Sequence, residues 1–384
     1  MNPVYLDHAA TTPVRPEVQE AMIPFAEENF GNPSSQHRWG REASAALEDA
    51  RAEAAAALGV RNGEICFVRG GTEGDNLALG GACHATRETA GPASLWVSAI
   101  EHHAVLHLAE HLADTGSARL NVFPVRPDGS VDLDALGSAL GPDPAVLSCM
   151  WVNNETGIVL PVEALSELTR DTDVIFHTDA VQAVGKLDVD LSRLDGIDLL
   201  TVSGHKIYGP KGTGLLFVRG GTALTPLLYG GGQERRLRPG TEDVGGAVGL
   251  ATALRLAVEE RTREAERLSE LRTLLERRLT SELDGVVVAG DEAVRAPHVA
   301  NIGFEGVDTS MLLINLDLEG IAVSGASACQ SGSSRGSHVI EALYGPGSTR
   351  AHVRYSLGRL SDDDGIRQAV DTTVDVVRRL RDTA

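Results

Sequence analysis

The chain contains 384 residues, a length typical of two domains or of one large domain with a smaller companion. Apolar residues make up 42% of it, which is enough for a substantial core and argues against a disordered chain. The formal net charge of −20 argues against a general nucleic-acid binder, because such proteins need basic surface to displace counterions from phosphates. No apolar run approaches the roughly 18 residues that cross a bilayer, and no signal segment opens the chain. We therefore expect a cytoplasmic protein.

Apolar runs of strand length alternate with helical patterns from about residue 40 to about residue 220. The predicted strands cover residues 65–68, 94–100, 119–125, 145–152, 174–177, 199–202 and 214–218. The predicted helices cover residues 41–58, 74–84, 104–115, 132–140 and 161–171. This alternation is typical of an α/β domain with a mainly parallel sheet. Several strands are apolar throughout, which indicates a sheet covered on both faces.

The remainder of the chain has a different pattern. Residues 244–283 form a long helical pattern, first apolar and then rich in Arg and Glu. The predicted elements after it are strands 286–289 and 299–304, helix 310–319, a loop of small residues and a last helix. We place a domain boundary inside the long helix, near residue 258. Large and small domains then cover residues 16–258 and 259–384.

Polar clusters follow three of the predicted strands, at the end of a parallel sheet where ligands bind. Gly71 and Thr72 follow the first strand and open a helix, where free N–H groups can hold an anion, although a capped turn is the ordinary alternative. Asp179 follows the strand at 174–177, either as a helix cap or as a carboxylate for a cationic partner. Lys206 follows the strand at 199–202, where a buried amine acquires a lowered pKa and forms imines readily.

These three groups together form the set that pyridoxal 5'-phosphate requires. The cofactor needs a phosphate site, an acid opposite its pyridine nitrogen and a Schiff-base lysine. We therefore predict a pyridoxal-phosphate enzyme, with Lys206 as the lysine that anchors the cofactor.

With these motifs in order, the chain closely resembles the cysteine desulfurases of group I. These are fold-type-I pyridoxal-phosphate enzymes in the class V aminotransferase group. The motifs that carry the resemblance lie at residues 5–13, 31–37, 152–157, 203–206 and 354–359. The resemblance implies a large domain with a mainly parallel seven-stranded sheet, a smaller C-terminal α+β domain, and an N-terminal segment, residues 1–15, that packs on the small domain.

The resemblance also implies roles for individual residues. Lys206 would form the Schiff base, Asp179 would pair with the pyridine nitrogen, and Gln182 would bond the ring hydroxyl. His102 would stack on the ring and take part in catalysis. The phosphate would be held by Gly71, Thr72, Ser203, His205 and, from the other subunit, Thr241. Asn154 and Arg354 would bind the substrate carboxylate. Because Thr241 would act across subunits, the resemblance implies a homodimer with composite active sites.

The four cysteines stand far apart and form no C-x-x-C pair, so we expect neither a disulfide framework nor a zinc site. Cys66, Cys83 and Cys149 lie in apolar sequence and are expected to be buried. Cys329 lies in a segment of Ser, Gly and Ala, residues 324–337, which is either a flexible connector or the carrier of a mobile nucleophile. The resemblance favours the second, because the family's catalytic cysteine occupies this place.

A metal site is the competing hypothesis for one cluster. His103, His107 and His111 recur at helical spacing, but the outer two lie about 12 Å apart at 1.5 Å per residue, too far for one zinc ion. We predict a polar helix face and no metal.

The expected activity is that of a cysteine desulfurase, which converts L-cysteine to L-alanine and leaves the sulfur as a persulfide on Cys329 for an acceptor protein. A selenocysteine lyase or another class V aminotransferase-type enzyme is the alternative, and a catalytically inactive sulfur-relay protein is a further one. Iron–sulfur cluster assembly, tRNA thiolation and DNA phosphorothioation all use such donors, and the sequence leaves the pathway open.

Overall fold

The computed structural model describes residues 3–141, 144–325, 336–347 and 349–383. In those ranges the helices are α1 (Pro16–Glu27), α2 (Arg38–Leu58), α3 (Gly71–Ala90), α4 (His103–Asp114), α5 (Leu133–Leu140), α6 (Val162–Thr169), α7 (Val244–Glu282), α8 (Thr309–Leu318), α9 (His338–Tyr344) and α10 (Asp363–Asp382). The strands are β1 (Val4–Tyr5), β2 (Ile65–Val68), β3 (Ala93–Ser98), β4 (Ala118–Phe123), β5 (Ala145–Ser148), β6 (Ile175–Asp179), β7 (Leu199–Ser203), β8 (Gly214–Val218), β9 (Val286–Val288), β10 (Val299–Phe304), β11 (Ile321–Ala322), β12 (Ser324–Gly325) and β13 (Ala351–Ser356).

A seven-stranded sheet forms the centre of the larger part of the chain. Its strand order is β2-β8-β7-β6-β5-β3-β4. The strands from β7 to β4 pair in parallel, and β8 alone in this sheet runs antiparallel to both of its neighbours. The predicted α/β class with a mainly parallel seven-stranded sheet is therefore confirmed.

The two faces of this sheet bury separate hydrophobic clusters. Leu215 and Phe217 of β8 contribute to one cluster and Leu216 contributes to the other, because successive side chains of a strand point to opposite faces. Helices α3 and α4 pack on the second face, and α2, α5, α6 and the first half of α7 pack on the first. The predicted burial of Cys66, Cys83 and Cys149 is confirmed.

A third hydrophobic cluster lies at the other end of α7. It is built on an antiparallel sheet of order β12-β13-β10-β9, covered by α8, α10 and the second half of α7. Helix α7 is continuous: Leu254 lies in the cluster of the large sheet, and Leu275 lies in that of the small one. The N-terminal strand β1 pairs in parallel with β11. The boundary near residue 258 stays a prediction.

The sequence pattern missed α1, α9 and β13. Strand β13 is wholly buried but contains His352 and Arg354, so it lacks an apolar run. Helix α3 extends beyond its predicted bounds at both ends despite several glycines, since packing against the sheet overrides their low helix propensity. None of the helices in the described part of the chain combines the length and apolarity that a membrane span requires.

Candidate active site

The start of α3 forms an anion cradle beside the end of β7. Gly70, which precedes the helix, has φ of +125°. Residues other than glycine rarely adopt this backbone conformation. A Cβ on Gly71 would lie 3.1 Å from Val181 Cγ2 and 3.7 Å from Ser203 Cβ, so a larger residue would fill this space. Thr72 is exposed and Ser203 is buried. The N–H groups at the start of a helix, together with these hydroxyls, suit a phosphate.

A buried carboxylate lies at the end of β6. Asp179 Oδ1 accepts a hydrogen bond of 2.9 Å from the Val181 amide, and burial raises the pKa of this carboxyl to about 6. Gln182 donates through Nε2 to the Ala9 carbonyl at 3.0 Å, and its Oε1 lies 3.0 Å from His298 Nε2. A carboxylate in this setting favours a cationic partner, because a nearby positive charge compensates for its lost hydration.

Lys206 lies directly after β7, in a short turn (Gly204–Lys206). Its Nζ donates to the carbonyls of Ala9 and Ala10 at 2.7 and 2.6 Å. The positive charge of Lys206 opposes the burial that raises the pKa of Asp179 and adds to the burial that lowers the pKa of His102, which places Lys206 within electrostatic range of both groups. Adjacent strand ends thus bring the predicted amine and the predicted acid together.

Two histidines border the lysine. His102 precedes α4, and its Nδ1 accepts a hydrogen bond from the Ala104 amide at 3.1 Å, which leaves the proton of the neutral ring on Nε2. Burial, and then the charge of Lys206, lower the pKa of His102 to about 4, so the ring is neutral at physiological pH. His205 Nδ1 lies 3.1 Å from Thr11 Oγ1, and burial lowers the pKa of His205 to about 4.

The predicted carboxylate-binding residues are also adjacent. Arg354 is 4% exposed and donates from Nη2 to Asp7 Oδ1 at 2.9 Å and from Nη1 to the Asn154 carbonyl at 3.1 Å. Its Nε is buried with no hydrogen-bond partner among the described residues. A guanidinium with an unused donor suits a carboxylate ligand.

One predicted residue stands apart from this group, and another is not described. Thr241 is exposed and lines a separate groove of about 640 Å³ with Ile23 and Phe30. Cys329 lies outside the described residues.

Sequence reasoning assigned no role to several buried ionisable groups around the site. Asp75 of α3 and Glu101 are buried near Asp179, and burial raises both of their pKa values, that of Glu101 to about 8. Lys186 donates from Nζ to the Lys206 carbonyl at 2.9 Å. A charged residue inside an otherwise small and apolar segment was the available signal for Asp75.

Two histidines of α4 gather with one from α9. The rings of His103 and His107 stack with centroids 4.7 Å apart, and the His338 ring lies 4.6 Å from that of His103. Within the described ranges, no group of three or more His, Cys, Asp or Glu side chains has an arrangement that could hold a metal ion.

Comparison with known proteins gives a consistent result. Residues 4–368 match the model of the aminotransferase class-V family. The chain is 43% identical over 380 residues to the cysteine desulfurase IscS of Dictyoglomus turgidum, covering 98% of this chain and 95% of that protein. It resembles the structure of a NifS-like protein with a TM-score of 0.91 and 32% identity, over 98% of this chain and all of the other. The structure of SspA in complex with cysteine matches 92% of this chain and 98% of the other, with a TM-score of 0.80 and 33% identity.

Proposed function

We propose, from the premise that this chain belongs to the aminotransferase class-V family and is a pyridoxal-phosphate-dependent cysteine desulfurase, that Lys206 and Asp179 are the centre of its reaction. The observation that carries this proposal is the convergence of a lysine amine and a buried carboxylate at the ends of β7 and β6, beside the anion cradle of α3. No other described lysine lies beside this carboxylate and cradle together.

The residues fit the cofactor in kind. Gly71, Thr72, Ser203 and His205 would hold the phosphate, and Asp179 would face the pyridine nitrogen. Gln182 would bond the ring hydroxyl after releasing a present partner, since its amide already bonds Ala9 and His298. When bound, pyridoxal phosphate supplies an aldehyde that condenses with amines and a ring that accepts the electron pair from a broken bond at Cα.

The chain's own residues would then bind and turn over L-cysteine. Arg354, with Asn154, would orient the substrate carboxylate through its unused donor. Lys206 would take the proton from Cα and return one to the product, and neutral His102 would stack on the ring and exchange a proton through Nε2. Asp179 would keep its negative charge and favour the protonated ring nitrogen.

Sulfur transfer would require the thiolate of Cys329. Its sulfur would form a bond with the substrate sulfur while the bond from that sulfur to Cβ breaks. The electron pair of the broken bond remains with carbon and ends as a C–H bond of alanine, so that L-cysteine and one thiol give L-alanine and one persulfide. The persulfide would pass to the thiol of an acceptor protein, in a reducing compartment such as the cytoplasm.

We also propose a homodimer with composite sites. Ile23 and Phe30 are 52% and 68% exposed, and both line the groove that contains Thr241. Exposed apolar side chains around a groove are typical of a protein interface. A second copy seated there would bring Thr241 towards its own cradle at α3.

Replacement of the anchor lysine tests the central proposal. Lys206→Ala is expected to lose the cofactor's visible band and to lower alanine formation by about a thousandfold or more, because both the anchor and the base are removed. The exposed Lys211 provides the control, and Lys211→Ala should retain both. Borohydride reduction followed by peptide mapping should find the pyridoxyl group on Lys206. An adduct on Lys211 or Lys186 would refute the assignment.

A further inference from the structure

Lysine is rare in this chain, and two of its lysines lie together. Lys186, Lys206 and Lys211 are the three lysines among 34 Lys and Arg residues. The other 31 of these residues are arginine. Lysine differs from arginine because a buried amine can release its proton near neutral pH, whereas a guanidinium cannot. A lysine that lies beside Lys206 is therefore a candidate for proton exchange.

Lys186 and Lys206 line the same cavity. Lys186 Nζ donates to the Lys206 carbonyl at 2.9 Å, and within the described residues no ion pair joins it to a carboxylate. The cavity has a volume of about 40 Å³. Since each buried water needs roughly 10–15 Å³ by this measure, it has room for about three water molecules.

Two imidazoles line this cavity, and each has one buried nitrogen without a hydrogen-bond partner among the described residues. His8 Nδ1 lies 3.1 Å from the Ser356 carbonyl, so it carries the ring proton and leaves Nε2 as an acceptor. His298 Nε2 lies 3.0 Å from Gln182 Oε1, so it is the donor and leaves Nδ1 as an acceptor. Neither acceptor has a partner among the described residues, and the two histidines are 3% and 1% exposed.

The carboxylates and the tyrosine that line the cavity have partners of their own. Glu260 is bound to Arg15 at 2.9 Å, and Glu264 is bound to Arg267 at 2.8 Å. Tyr208 Oη accepts from the Arg359 amide at 2.7 Å, and burial raises the tyrosine pKa to about 12.

Lys186 titrates near neutral pH, whereas His8 and His298 do not. Burial lowers the pKa of His8 to about 4 and that of His298 well below its usual value, so both rings stay neutral. Burial and the charge of Lys206 lower the pKa of Lys186 to about 8. Lys186 can therefore release and regain a proton near the pH at which enzymes work.

We propose that Lys186 is a positioning residue that keeps a proton available to Lys206 through water in this cavity. An N–H bond of Lys186 breaks, and its proton forms an O–H bond on the first water molecule. Each water molecule passes on one proton as it gains one, and the last proton forms an N–H bond on the Lys206 amine. No electrons are transferred. The proton returns within the turnover, because L-cysteine and a thiol give L-alanine and a persulfide with no net proton. The inference rests on the proposed role of Lys206 as the base.

The test compares Lys186→Met with Lys211→Met, which makes the same charge change at an exposed position. Turnover of Lys186→Met is expected to fall about tenfold, at the low end of the effects of general acid–base groups. The limb of its kcat–pH profile near pH 8 should vanish, while Lys211→Met keeps the wild-type profile. A readout independent of turnover is the titration of ¹⁵N-labelled lysine amines, where the signal with a midpoint near pH 8 should be absent from Lys186→Met.

Lys186→Arg distinguishes the loss of proton release from the loss of positive charge. It also distinguishes both from misfolding. This variant keeps the positive charge but holds its proton, so its turnover should match that of Lys186→Met while its melting temperature stays near that of the wild type. Full turnover by Lys186→Arg, or an unchanged pH profile in Lys186→Met, would overturn the proposal. Full turnover by Lys206→Ala would instead refute the proposed function, which keeps the two failures distinct.

Discussion

Arg354 shows how one residue can be committed to the fold and still available for a ligand. Two of its nitrogen atoms bond Asp7 and the Asn154 carbonyl, and the third, Nε, is buried without a partner in the described part of the chain. A buried donor left unpaired costs about 1–3 kcal/mol. A substrate carboxylate that accepts from Nε would remove this cost. The free-energy cost of the unpaired donor in the free site therefore favours binding.

Arg354→Lys tests this role. Lysine keeps the charge but loses the planar fork that bonds a carboxylate through two donors. We expect KM for L-cysteine to rise by roughly ten- to a hundredfold, equivalent to about 1.4–2.7 kcal/mol, with a smaller change in kcat. Steady-state kinetics measure both constants. Arg295→Lys, which alters a buried ion pair with Glu276 away from the site, is the control. A lower kcat with unchanged KM would contradict a binding role.

Helix α3 brings the anion cradle to the sheet by close packing at one glycine. A Cβ on Gly74 would lie 2.6 Å from Thr201 Cγ2 and 3.2 Å from its Oγ1. The Thr201 hydroxyl also lies 3.1 Å from His177 Nε2, so the threonine cannot turn away without losing that contact. The position of the cradle therefore depends on contact between α3 and β7.

Gly74→Ala is expected to destabilise the fold by about 1–3 kcal/mol, because the new methyl overpacks a filled space. Thr201→Ser removes the blocking methyl and keeps the hydroxyl. The double variant should therefore regain most of the lost stability, aided by the better helix propensity of alanine. Denaturant unfolding of the four proteins gives the coupling energy. Additive losses in the double variant would show that Thr201 is not the obstacle.

The elements that sequence patterns predicted best are those whose burial follows a simple period. Strands β2 and β8 match their predicted bounds because both faces are covered and every residue is apolar or small. Strand β13 and helix α1 were missed: the first buries charged and polar side chains, and the second contains Pro24 within its length. Their structure depends on partners far along the chain, such as Asp7 for Arg354.

The residues of the site also divide into those that a sequence pattern predicts and those that it does not. Lys206 and Asp179 could be predicted to lie close together because the carboxyl ends of parallel strands meet at one edge of a sheet. The carbonyls of Ala9 and Ala10 that bind Lys206 could not be predicted, since small apolar residues carry no sign that their backbone reaches the site. The cavity of Lys186 was missed for a similar reason, because contributions from several distant segments enclose it.

At the scale of the whole molecule, the proposed dimer predicts that a substitution that breaks the interface also impairs the active site. Phe30→Asp introduces a charge into the apolar groove and should convert dimers to monomers, because burying an unpaired charge at an interface is costly. Cofactor content should fall with it, since Thr241 would no longer reach the partner. Light scattering and the visible absorbance measure the two effects. Leu318→Asp on α8, at a side chain 79% exposed, should change neither.

Mixed dimers decide whether Thr241 acts across subunits. Lys206→Ala and Thr241→Ala are each impaired as homodimers, the first without its anchor lysine and the second with a weakened phosphate site. In a mixed dimer, the Thr241→Ala subunit keeps Lys206 and receives an intact Thr241 from its partner, so one of the two sites is complete. Mixing the two proteins under subunit exchange should therefore restore alanine formation and the visible band. If Thr241 served its own subunit, every site in the mixed dimer would lack one group and no activity would return.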